Sequence, residues 1–357
     1  MAASADDTTL AELGERVRAA AQVRSPLRLR GSGSKDFYGE TLAGEVLELA
    51  AWRGIVDYEP SELVVTARSG TSLAELEGAL AEHDQFLAFE PPAFGPGTTL
   101  GGVIATGLSG PRRMYAGAAR DFVLGTRLLT GNGERLRFGG QVMKNVAGFD
   151  VSRLLCGSLG ILGIITEVSL KVLPRPRAEV TLRLELPAPA AVAAFNQWAA
   201  QPVPLSAAAW WQGQAWVRLS GAEPAVRAAR AHIGGDLIEA TRAEEWWAAV
   251  RDCRHPLFSQ PDIWRVSVPD TAPPLALPGE PLIDWGGAVR WYAASLGAAA
   301  VRAAAAAAGG TALCWRGSAP QGRFHALTTP VAELHRRLKA RFDPAGIFNP
   351  GRLLAGL

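Results

Sequence analysis

The sequence predicts an α+β fold in two unequal parts, and three observations carry that expectation. Short β-type and helical runs intermix over the first half without the regular strand–helix–strand rhythm of a doubly wound sheet. Asn132-Gly133 sits between Thr126–Leu129 and Leu136–Phe138, the signature of a tight hairpin. Finally, Pro174-Arg175-Pro176-Arg177 reads as a linker, because two prolines deny both helix and central strand.

Taken in order, the first helix is expected from the spacing of Leu10, Leu13 and Val17. β-type runs follow at Pro26–Arg30 and Leu63–Thr66, and a second helix at Leu73, Leu76 and Leu80 is capped by Thr71-Ser72. Phe122-Val123-Leu124 is a further β-type run, and an apolar strand is expected over Ile164–Val172. Beyond the linker the chain turns dense in Ala and Trp. There, helices are expected at Ala188–Gln201 and Glu223–Ile233, with a strand at Ala215–Leu219. Pro269–Pro281 carries five prolines and reads as a surface loop, and Ala298–Ala308 as a small-residue helix ended by Gly309-Gly310. Residues 328–343 form a basic helix before a turn-rich tail. The expected division is 1–173, a smaller α+β domain at 178–310, and a C-terminal segment at 311–357.

Composition narrows the function classes. A hydrophobic fraction of 48%, a charged fraction of 20% and a net charge of +2 describe an ordinary globular chain with no field that argues for nucleic acid. No window approaches the 18 or more apolar residues of a membrane span. Met1–Thr9 is acidic and polar, unlike a secretion or mitochondrial targeting segment. Three cysteines, Cys156, Cys253 and Cys314, lie far apart and suggest neither disulfides nor a thiolate metal site. A cytoplasmic location fits these features.

Three glycine-rich segments carry the chemical signal. Gly31-Ser32-Gly33-Ser34-Lys35 follows a β run; small residues let the backbone turn tightly and gather N–H groups into an anion nest, to which Lys35 adds charge. The same composition also suits a plain surface loop. In Gly97-Thr98-Thr99-Leu100-Gly101-Gly102, Thr98 or Thr99 caps a short helix that Gly101 and Gly102 open to close approach, either of a ligand or of a packed neighbour. Gly157, Gly160 and Gly163 recur at three-residue spacing before the strand that contains Ile165, which fits backbone lying against a flat ligand or a bend into the core. A nicotinamide-type Gly-x-Gly-x-x-Gly with its acidic partner is missing, as is the Gly-Lys-Ser/Thr of a P-loop.

Together and in this order the segments resemble the FAD-binding domain of the vanillyl-alcohol oxidase / p-cresol methylhydroxylase (PCMH) superfamily. Lys144-Asn145-Val146-Ala147-Gly148-Phe149-Asp150 is similar to the FAD-binding subunits of glycolate oxidases in particular, as are Gly107–Arg113, Arg254–Phe258, Asp284–Trp291 and Phe342–Gly351. The likeness spans nearly the whole chain. It implies a two-subdomain PCMH-type domain completed by the C-terminal tail, with a smaller cap domain. It also implies FAD held by Gly31–Lys35 and Gly97–Gly102 with Ser109, by Gly157–Ile165, and at the flavin edge by Asn349. Because the loops hold no histidine and only Cys156 is near, noncovalent FAD is expected. The implied activity is oxidation of a small 2-hydroxyacid such as glycolate. The implied partners are a catalytic flavoprotein and an iron–sulfur protein, with the complex bordering the inner membrane. Two departures stand out: Leu159 and Ile161 occupy positions often held by Glu and Thr. The five histidines, His83, His232, His255, His325 and His335, are scattered with no pair at ligand spacing, so no metal is expected.

Hydride removal from a 2-hydroxyacid needs a cation for the carboxylate and a base for the hydroxyl proton. Arg265, Arg290 and Arg316, each next to Trp264, Trp291 or Trp315, are the anchors to weigh against plain structural Arg–Trp stacking. His255 is the base to weigh. No catalytic residue is singled out. A subunit that binds FAD for assembly or electron transfer, or a free-standing dehydrogenase, are the alternative readings.

Overall fold

The computed structural model describes residues 5–141 and 149–357. Most of the Lys144–Asp150 motif therefore lies outside the described residues; Phe149 and Asp150 alone fall within them. Two antiparallel sheets organise the chain. The first has five strands in the order Ile55–Glu59, Val64–Arg68, Ile164–Lys171, Val123–Leu129, Arg135–Gly139. Its hairpin turns at Asn132-Gly133, where Gly133 takes φ +73°. Ile164–Lys171 is central and buried along nearly its whole length. Leu73–Ala81 and Leu100–Thr106 lay Leu76, Leu80, Leu100 and Ile104 on that sheet, all fully buried. The first of these helices starts where expected, with the Ser72 hydroxyl accepting from Glu75 N–H.

A small parallel pair, Leu27–Arg30 with Glu45–Glu48, stands beside this sheet. The C-terminal tail joins it: Leu27 N–H donates to Ile347 O, and Asn349 N–H donates to Leu27 O. The tail thus returns across some 320 residues of sequence to the first β run.

The second sheet has eight strands in the order Asp236–Ile238, Ala178–Glu185, Gln214–Gly221, Leu205–Trp211, Leu282–Asp284, Val289–Tyr292, Ile263–Ser267, Thr311–Arg316. Ala188–Ala199 and Glu223–Ile233 pack their apolar faces against it. The last strand, Thr311–Arg316, pairs with Ile263–Ser267 and belongs to this sheet, although its residues fall past the expected break at 310. Ala240–Arg251 is a helix that the sequence reading left out. It is capped by the Glu239 carboxylate and buries Ala243, Trp247 and Val250 at helical spacing. At the proline-rich linker, Leu173–Pro174 forms a two-residue ladder with Gln85–Phe86. A proline there needs no ladder donor at a sheet edge.

A buried ion network joins the two sheets' territories. Glu90 accepts from Arg112 N–H (2.8 Å) and from Arg218 Nη2 (3.0 Å), while Arg112 Nη2 reaches Glu179 at 2.6 Å. Burial alone would raise the Glu90 carboxyl, but the two guanidiniums outweigh it and hold it below the usual range. Such a network fixes how the second sheet sits over the first, and so shapes the space between them.

Candidate functional site

A cleft opens where the three glycine segments converge. Gly31, Ser32, Gly33, Ser34 and Lys35 form one wall; Thr99, Gly101 and Gly102 form a second; Gly160, Gly163 and Ile165 a third; Asn349 closes an end. The glycines are there for steric reasons that differ from place to place. A Cβ on Gly31 would stand 2.3 Å from Thr99 Oγ1, and one on Gly101 would stand 2.7 Å from Ser69 Cβ. The first lets the loop at Gly31 lie on Thr99, and the second lets the helix start close against Ser69. Gly33 needs its left-handed φ of +77°, and a Cβ there would strike the Arg30 guanidinium at 2.5 Å. Gly160 and Gly163 make room for protein, since a Cβ would meet Asn349 Nδ2 at 2.8 Å and Leu129 O at 2.8 Å respectively.

Four expected residues lie off the cleft wall. Thr98 is buried beneath the first loop, its hydroxyl 3.3 Å from Ser34 Oγ, and Gly97 packs under Ser32. Gly157 abuts Gly107 behind the cleft. Ser109 accepts from Ala119 N–H at 3.0 Å and lines the neighbouring cavity instead. Thr99 does cap the short helix Leu100–Thr106 through Gly102 N–H.

Asn349 acts as a clamp. Its Oδ1 accepts from Leu29 N–H (2.8 Å) and its Nδ2 donates to Leu159 O (2.7 Å), so one amide ties the first β run to the third glycine segment. Two residues were missed. Arg352 donates to the carbonyls of Lys35 (3.1 Å) and Asp36 (3.0 Å), setting the first loop's shape. Ser69 follows the strand Val64–Arg68 and lines the cleft. Its signal was a small-residue run, Ser69-Gly70-Thr71, placed after a β run like the first loop.

Electrostatics give the cleft its preference. Lys35 is 8% exposed with its Nζ over the Phe94 ring, and among the described residues neither that Nζ nor the buried Ser69 Oγ has a hydrogen-bond partner. Burial pulls the Lys35 ammonium down to about 8, which leaves most of it charged at neutral pH. A buried cation and a hydroxyl without partners, beside a turn of small residues, are the complement of a bound anion such as a diphosphate. The residues present therefore fit a dinucleotide cofactor. Cys156 is off the cleft wall, and burial pushes its thiol up to about 12, so it is a poor nucleophile for a covalent link.

The expected chemical candidates resolve unequally. Arg290 donates to Gly287 O, Pro273 O and Ala272 O, and Arg316 to Phe258 O and Gln260 O; both are structural. Arg290 thereby pins the proline-rich loop that the sequence marks as a surface segment. His255 Nδ1 accepts from Leu257 N–H at the start of a short 3-10 turn, and burial lowers the ring to about 4. It is a cap and stays neutral. Among the described residues no group of three or more His, Cys, Asp or Glu side chains is placed to hold a metal. Arg265 is different: it stacks on Trp285 and Trp291 rather than on its neighbour Trp264.

Asp284 sits close by, and burial pushes its carboxyl up to about 7, outweighing the hydrogen bond from Trp285 N–H and the attraction of Arg265. A carboxyl whose folded pKa lies above its unfolded value stabilises the fold in full only below about pH 4, and that contribution is lost as pH rises through 7. Asp284→Asn keeps the acceptor for Trp285 N–H and is expected to be more stable than the parent at pH 8, by roughly 1–3 kcal/mol, with little difference at about pH 4. Calorimetry at the two pH values checks this; a parallel pH slope in both proteins would refute the burial argument.

A family model described as an FAD binding domain matches residues 7–139, which contain the first two glycine segments and the cation. The solved structure of alkyldihydroxyacetonephosphate synthase superposes with a TM-score of 0.66 over 95% of this chain and 74% of that one, at 16% identity, which speaks to the fold alone. Glycolate oxidase subunit GlcD of Bacillus subtilis is 34% identical over 161 residues, 44% of this chain and 34% of that protein. Glycolate oxidase subunit GlcE of Escherichia coli is 47% identical over 344 residues, covering 96% of this chain and 97% of that protein. With likeness of that extent joined to the fold and the cleft, the chain belongs to the GlcE family of glycolate oxidase subunits.

Proposed function

We propose that this chain is the FAD-carrying subunit of a glycolate (2-hydroxyacid) dehydrogenase complex, and that its flavin passes electrons from substrate toward a partner. The observation that carries the reading is the buried Lys35 ammonium, which has no hydrogen-bond partner among the described residues, where three glycine segments and Asn349 converge. In this reading Gly31–Lys35, backed by Gly97, Thr98, Thr99, Gly101 and Gly102, cradle the diphosphate. Gly160, Gly163 and Ile165 bound the nucleotide's flat portion, with Gly157 and Ser109 supporting from behind. Asn349 holds the wall together through Leu29 and Leu159. FAD, held without a covalent bond, would supply the acceptor for the hydride of an α-C–H bond, which carries the two electrons of the oxidation.

The three cysteines of the chain lie far apart and form no iron–sulfur ligand pattern, so in this reading an external electron acceptor is needed. A catalytic flavoprotein and an iron–sulfur protein are the partners proposed, in a cytoplasmic complex that borders the inner membrane. No helix among the described residues is long and apolar enough to cross a membrane. The competing view, an FAD subunit for assembly or electron transfer alone, draws support from the structural roles of Arg290, Arg316 and His255.

An anaerobic spectrum separates the two. Glycolate is expected to bleach the flavin of the purified chain as well as of its complex. Bleaching in the complex alone favours the electron-transfer view, and a colourless chain that cannot be reconstituted with FAD would overturn both.

A further inference from the structure

A second cavity of about 340 Å³ lies between the two sheets, and Thr106, at the end of the helix that Thr99 caps, lines both it and the glycine cleft. Its size is that of a small-molecule site. Two arginines from different parts of the chain meet in it. Arg113 and Arg265 stack on the same indole, Trp285, with guanidinium carbons 4.2 and 4.7 Å from the ring centroid. A cation–π contact of this kind uses the charge of a guanidinium and leaves N–H groups to donate. Arg113 makes no side-chain hydrogen bond or ion pair with any described residue, and the hydrogen bond of Arg265 goes to a neutral hydroxyl, Ser267 Oγ, at 3.0 Å. Two like charges thus share one ring with no ion-paired acid.

The turn that carries the indole is itself strained. Trp285, Gly286 and Gly287 have φ of +53°, +64° and +118° in succession. For a tryptophan the left-handed region costs on the order of 1–3 kcal/mol and persists only where surroundings impose it. Here Trp285 N–H donates to Asp284 Oδ1 (2.7 Å), and Nε1–H donates to Gly110 O (3.0 Å) on the first domain's loop. The strained turn thus holds one indole within reach of two cations.

We propose that Arg113 and Arg265, held in place by Trp285, form the carboxylate-binding site for a short 2-hydroxy- or 2-oxoacid in this cavity. Planar guanidiniums match a carboxylate with paired N–H donors. Asp284 and Tyr38, which also line the cavity, offer a carboxyl and a hydroxyl to the ligand's α-oxygen. The proposal deepens the reading of the chain as a 2-hydroxyacid dehydrogenase subunit. It rests on that reading for its ligand class but not for its geometry.

The test uses oxalate, a non-oxidisable two-carbon carboxylate, titrated into the full-length protein by calorimetry and tryptophan fluorescence, with FAD bound and after FAD removal. Saturable binding is expected in both forms. Arg113→Met and Arg265→Met are each expected to weaken it roughly ten- to a hundredfold, the loss of a charged hydrogen-bonding partner, while FAD content stays at the parent level. Arg265 is the more enclosed of the two, so Arg113→Met and Arg265→Lys guard against a folding failure; the lysine variant should retain part of the affinity. Oxalate binding that neither arginine alters, no saturable binding at millimolar oxalate, or phosphate bound as tightly as oxalate would each overturn the proposal. Binding that persists in a chain unable to take up FAD would instead sink the flavin reading and leave this site standing.

Discussion

Replacing Gly33 with valine is expected to leave a folded chain that no longer retains FAD. Gly33 has φ +77°, a region that a β-branched residue enters only at a cost of about 1–3 kcal/mol. The added Cβ would also stand 2.5 Å from the Arg30 guanidinium, which bonds to Asp36 at 3.3 Å and to Glu48 at 3.3 Å. The loop must therefore move, and with it the N–H groups and Lys35. The first loop lies at the surface of the cleft rather than in either apolar core, so global stability should fall by no more than that local cost. Flavin content relative to protein should drop by tenfold or more while circular dichroism stays unchanged. Unaltered FAD content would show that this loop is not the diphosphate cradle.

The second large effect concerns the tail. Lys339 and Asp343 form a buried pair at 2.6 Å, with Lys339 also donating to Ile161 O (2.8 Å) and Phe348 O (2.7 Å). Asp343 accepts from Ile347 and Phe348 N–H as well. Removing one partner leaves a buried charge uncompensated, and Lys339→Met is expected to cost about 3–5 kcal/mol. Because the same contacts deliver Asn349 to Leu29 and Leu159, FAD affinity should weaken along with the melting temperature. Lys339→Met combined with Asp343→Leu should recover part of the stability, since no lone charge remains. Thermal melts of the single and double variants check this; equal melting temperatures for Lys339→Met and the parent would show that the pair is not what seats the tail.

Local features were the legible ones. Each glycine loop is a contiguous run that shows in the sequence, though the neighbours its glycines make room for are distant, and the hairpin at Asn132-Gly133 needs only its two flanking strands. Features built from distant positions were not legible. Asn349 bonds to Leu29 and Leu159, 320 and 190 positions away, and its turn-like Asn-Pro-Gly setting hides the clamp. Arg265 misled for a physical reason. Neighbours along a strand point to opposite faces, so Trp264 turns into the sheet's other side and Arg265 finds Trp285 and Trp291 instead. Its pairing with Arg113 joins positions far apart in the sequence around Trp285, which no local pattern encodes. His255 looked like a base beside Pro256 but is a neutral cap in an aromatic pocket with Trp211 and Trp246.

The central claim is that this cleft holds intact, noncovalent FAD on a 2-hydroxyacid dehydrogenase subunit. The most direct measurement is the visible spectrum of the purified full-length chain, followed by analysis of what heat denaturation releases. A yellow protein that gives up one intact FAD per chain and becomes colourless is the predicted result. A colourless chain that takes up no added FAD, or a flavin that stays with the denatured polypeptide, would contradict it.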